Sequence, residues 1–73
     1  MYIIKGTFTD KYGGIFWINL KEDTDSYKRT MLIENATVFK DEEMAEKEVN
    51  KLYITNLNRG FTLEILNITI KED

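Results

Sequence analysis

The chain contains no cysteine, no histidine and no proline, and one tryptophan. Without cysteine no disulfide can staple the fold, and no thiolate can serve as nucleophile or metal ligand. Without histidine the commonest general base and the commonest metal ligand are both missing. Ser26 is the only serine, and it has no histidine to activate it. Nothing approaches the run of about 18 apolar residues that a membrane span requires. The opening "MYIIKGTFTD" has no basic segment ahead of its short apolar run, so it does not read as a secretory leader. The expectation is a cytoplasmic, non-enzymatic protein with no cofactor, no metal and no membrane partner.

With 73 residues there is room for one domain, spanning 1–73. Domains near this size bury only about 60% of their unfolded surface, so the core is small and a partner or a second copy is a natural supplement. The content of 42% hydrophobic residues is too high for a disordered tail. Net charge is −3, and residues 35–50 alone sum to −3, from two lysines against five acids. Proteins that bind nucleic acid by neutralising phosphates show the opposite balance.

Residues 2–9 read as a strand with Tyr2, Ile4, Gly6 and Phe8 on one face and Ile3, Lys5 and Thr7 on the other. Gly6 would leave room for a neighbour or mark a bulge. "DKYGG" is a turn, and "IFWINL" is the second strand of a hairpin. Residues 21–29 form a polar loop, and 30–39 are β-prone enough for a third strand of imperfect alternation. From residue 41 the period changes. Ala45, Val49, Leu52 and Asn56 make a helical stripe with Tyr53 and Leu57 beside it. Asp41 suits the N-cap, and Glu42 and Glu43 the first turn. Gly60 is a plausible stop. The rival reading ends the helix near Lys51 and makes "LYITNL" a strand. Residues 61–70 are the last strand, with a bulge expected near Asn67. The order β-β-β-α-β predicts an α+β fold: a mainly antiparallel four-stranded sheet with one helix packed on one face.

Three motifs are weighed against plainer readings. Asp23, Asp25 and Glu34 echo a calcium loop, but Tyr27 and Lys28 stand where a ligand and a glycine are needed, which favours a solvated loop. The acids Glu42, Glu43 and Glu46 could imitate nucleic-acid phosphates. Cap, dipole and a polar outer helix face explain them more simply, and Lys47 and Lys51 dilute the field. "KYGGIFW" has the residues of a ribonucleoprotein motif in another order. Phe16 and Trp17 are neighbours, so in a strand they point to opposite faces and only one can stack a base.

That opposition is informative. With Phe16, Ile18 and Leu20 toward the helix, Ile15, Trp17 and Asn19 face away from it. Ile3 and Leu66 join them, and Ile68 and Ile70 extend the same side. Tyr12 projects from the turn. One helix covers one side of a sheet, so this side would expose Trp17 among aliphatic side chains, a pattern that marks interaction surfaces. Single-stranded nucleic acid on this face, with Trp17 or Tyr12 stacking and Lys5, Lys11, Lys28 and Arg29 on phosphates, is the alternative.

The "YIIKG" strand, the glycine turn into an aromatic strand, "ATVFKDEEMAEKEVNKL" and the closing "FTLEIL" together resemble small accessory proteins encoded by phages and prophages of low-GC bacteria. The resemblance lies in element order and texture across most of the chain, and no functional residue comes with it. It implies a protein that binds and modulates or inhibits a host protein, including defence components, in some cases as a homodimer.

Overall fold

A methyl group on Gly6 would collide with the ring of Phe16. The computed structural model, which describes residues 1–20, 29–55 and 60–69, places ring atoms Cζ, Cε1 and Cε2 of Phe16 where that carbon would sit. Gly6 lies in strand β1 (Tyr2–Phe8) and Phe16 in strand β2 (Ile15–Ile18), directly opposite each other in an antiparallel pair. A glycine inside a strand is costly in chain entropy. Here it makes room for an aromatic ring to lie flat across the sheet. Phe8 and Phe61 close on the same ring, with centroids at 5.0 Å and 5.5 Å, the latter edge-on at 86°.

The hairpin turn follows from its residues. Asp10 Oδ1 accepts hydrogen bonds from the backbone N–H of Tyr12 (3.1 Å) and of Gly13 (2.9 Å). Gly13 (φ +66°) and Gly14 (φ +134°) adopt backbone angles that residues with a Cβ avoid. Strand β3 (Arg29–Thr30) pairs with β2, and strand β4 (Phe61–Asn67) pairs with β1, giving the order β3-β2-β1-β4 with every neighbour antiparallel. Helix α1 (Glu42–Thr55) packs on β1 and β4. The α+β fold expected from the sequence is therefore present.

The core lies between helix and sheet. Ile4, Phe16, Ile18, Phe39, Ala45 and Leu52 are buried together, with Tyr2, Phe8, Leu20, Val49, Phe61, Leu63 and Ile65 packed around them. The helix packs chiefly on β1 and β4, and its Ala45 and Leu52 share one core cluster with Phe16 and Ile18 of β2. The Arg29 guanidinium lies 5.5 Å from the ring centre of Phe8 and 5.6 Å from that of Phe16.

Two expectations are corrected, and the longer of the two helix readings is the one present. The third strand does not run through 30–39. It stops after Thr30, turns through a 3-10 segment (Ile33–Asn35), and returns to pair Phe39 with Tyr2 through reciprocal hydrogen bonds of 2.9 Å and 2.8 Å. Thr37 donates to the Ile18 carbonyl (2.9 Å), and its Oγ1 accepts from Leu20 N–H (2.8 Å). Residues 37–39 thus wedge between the end of β2 and the start of β1. The bulge near Asn67 is absent, because β1 and β4 stay in one register from Phe8↔Phe61 to Tyr2↔Asn67 and Ile68 N–H continues the ladder to Met1. The helix continues through residues 52–55, which excludes the rival strand there. Asn56, Leu57 and Ile70 lie outside the described residues.

Substituting Gly6→Ala tests the ring-over-glycine packing. In an open strand the change would stabilise by about 0.5–1 kcal/mol. Here overpacking wins, and urea unfolding should show a loss of about 1–3 kcal/mol. Tyr53→Phe should cost about 0.5–1.5 kcal/mol in the same assay, because the Tyr53 hydroxyl accepts the outward N–H of Leu63 at 2.7 Å.

Candidate binding surface

The period of two puts the other half of each strand on the face away from the helix. Three registers align Thr30, Trp17, Lys5 and Glu64 in one row across all four strands. Ile15, Thr7 and Thr62 form a second row, and Ile3 and Leu66 a third. Trp17, Leu66, Lys5, Thr7 and Thr30 are half-buried, while Glu64 and Thr62 are exposed. Ile15 is 45% exposed.

Ile3 corrects the expected contact set. It is only 2% exposed and does not belong to the helix-side cluster. It sits on the inner strand β1, with Leu66 directly opposite on β4. With Leu66 opposite on one side and the Tyr2–Phe39 pair adjoining on the other, Ile3 supports this face from beneath and is not itself available to a partner. Trp17 and Ile15 remain on the accessible side. Tyr12 stands apart from the face, 84% exposed at the hairpin tip, with Lys11 Nζ 5.0 Å from its ring centre.

Sequence reasoning missed the segment after β3. Met31 is 73% exposed, and Leu32, Ile33 and Val38 are exposed too. The 3-10 segment lies beside β2, and Met31 lines a cleft with Phe16 and Arg29, whose side chains lie on the helix side of the sheet. The available signal was the unbroken run Met31-Leu32-Ile33, which violates strand alternation.

Glu42, Glu43 and Glu46 are exposed at the start of α1, and Lys47 pairs with Glu43 at 3.7 Å. A cation one turn along the helix breaks up the negative surface. The calcium-loop residues Asp23 and Asp25 lie outside the described residues. Among the described residues no group of three or more acidic, histidine or cysteine side chains is placed to hold a metal ion, and no helix is long and apolar enough to cross a membrane. A cleft of about 230 Å³ is lined by Phe16, Arg29, Thr30 and Met31. Small-molecule sites run from roughly 300 to 1,000 Å³, and the charged group of this cleft, Arg29, already lies over two rings. The strand face is therefore the better candidate. No protein-family model, curated protein or solved structure matches the chain.

The Asp10 bonds hold Tyr12 in place at the tip. Asp10→Ala should lower stability by about 1 kcal/mol. It should also broaden the amide resonances of Tyr12 and Gly13 in a ¹⁵N spectrum, with β2 resonances unchanged.

Proposed function

We propose that this chain is a non-enzymatic protein-binding module that acts in the cytoplasm by docking its helix-free sheet face on a host protein and modulating or inhibiting it. The observation that carries this reading is Trp17. The only tryptophan is half-buried on the face without a helix, flanked through Lys5 and Thr30 and next in line to exposed Ile15. Tryptophan in such a setting is the residue type most enriched at the energetic centre of interfaces. Leu66 continues the apolar surface beyond Lys5. The resemblance to phage accessory proteins points in the same direction, toward a host target that includes defence components.

Nucleic acid is the weaker reading. Sheet-face recognition of single strands uses two or three stacking aromatics. Among the described residues Trp17 is the only aromatic side chain on this face, since Tyr2, Phe8, Phe16 and Phe61 pack on the helix side. Lys5 stands directly opposite Glu64, which offsets its charge. The acidic-mimic reading rests on Glu42, Glu43 and Glu46 alone.

Wild-type protein and Trp17→Asp, both immobilised and both checked for native circular dichroism, test the proposal against a lysate of a low-GC bacterium. A host protein retained by the wild type and lost with Trp17→Asp, at least about tenfold in affinity, is the expected result. The same proteins retained on both surfaces would overturn it. Labelled single-stranded oligonucleotides at low salt should show no binding.

A further inference from the structure

The two edges of the sheet differ. Among the described residues strand β3 offers two, Arg29 and Thr30. Strand β4 offers seven in one continuous register, with no proline, lysine or bulge along Phe61–Asn67. Those are the devices by which edges usually avoid pairing with another chain.

The hydrogen-bond phase of β4 is fixed. Thr9 N–H donates to Gly60 and Ile68 N–H to Met1. These bonds flank the pairs Phe8↔Phe61 and Tyr2↔Asn67, so odd-numbered residues of β4 turn their N–H and C=O groups away from β1. Leu63 N–H is satisfied by the Tyr53 hydroxyl at 2.7 Å. Ile65 and Asn67 are the next residues along β4 in the same phase.

We propose that the outer edge of β4 pairs antiparallel with the same edge of a second copy of this chain, about a two-fold axis through Leu66. The register follows from exclusion, since an axis through Asn67 would carry the Ile65 bonds to Thr69, outside β4. An axis through Glu64 would place two carboxylates face to face, which is destabilising. An axis through Ile65 would require the Leu63 N–H that Tyr53 already holds. An axis through Leu66 uses only Ile65 and Asn67. Ile65 of each copy faces Asn67 of the other as a bonded pair that exchanges both N–H···O bonds. The two Leu66 side chains then meet as a non-bonded pair, with Cα atoms roughly 4.5 Å apart. Glu64 of each copy falls opposite Ile68 of the other, so no like charges meet. Pairing joins the two sheets into one and covers the half-buried Leu66 on each.

This contact is short, so the dimer belongs to the weak, small-interface class. It builds on the reading of the chain as an interaction module, but it uses a different surface. Asn67→Pro leaves Trp17 untouched, and Trp17→Asp leaves the β4 edge intact, so each reading can fail alone. Proline fits an extended edge position whose N–H faces outward, and Asn67→Pro removes no bond to β1.

Sedimentation velocity between ~10 µM and ~1 mM protein should show a concentration-dependent monomer–dimer equilibrium in this weak-interface range. Asn67→Pro should raise the dissociation constant at least about tenfold. Amide exchange of Ile65 and Asn67 in the wild type should slow as concentration rises. A monomer throughout the range would overturn the proposal, as would a dimer unaffected by Asn67→Pro. Amides of Ile65 and Asn67 whose exchange ignores concentration would overturn it even if the proline variant failed to fold.

Discussion

The contact between the Phe16 ring and Gly6 sets the rest of the molecule. The ring needs the missing Cβ, so β1 and β2 can pair in one register only, with Gly6 opposite Phe16. A shift by one residue would turn every side chain of β2 over. With Phe16 on the helix side, Trp17 has no choice but the other side. The residue that completes the core and the residue offered to a partner are adjacent, and one constraint places both.

The same constraint explains why one helix suffices. Helix α1 packs chiefly on β1 and β4, and the Phe8, Phe16 and Phe61 rings, with Arg29 lying over two of them, complete the cover toward β2. On the opposite face Ile3 is buried across from Leu66, while Lys5 and Thr7 of the same strand and Trp17 and Ile15 of β2 stay partly open. Trp17, Ile15 and Leu66 are the accessible apolar groups of an otherwise polar face.

Much of this was legible in the residues. The alternation of "YIIKGTF", the glycine turn and the stripe of Ala45, Val49 and Leu52 each depend on local spacing, and local spacing is what a sequence displays. Two features were not legible, for a shared reason. Ile3 alternates like an outward residue, and its burial depends on partners distant in the chain, Leu66 across β4 and the Phe39 segment beside Tyr2. Residues 30–39 are β-prone, but Phe39 pairs with Tyr2, and Thr37 with Ile18, across long stretches of chain. Those pairings override local propensity and split the expected strand. The exposed run Met31-Leu32-Ile33 is the visible trace of that split.

The face carrying Trp17 is partly open in the free protein. The single tryptophan makes this directly measurable by fluorescence and acrylamide quenching of the dilute monomer. Emission between the buried and fully solvated extremes, with quenching clearly above that of a core tryptophan, is the result the account predicts. A blue-shifted emission that resists acrylamide until the protein is unfolded would place Trp17 inside a closed core and contradict it.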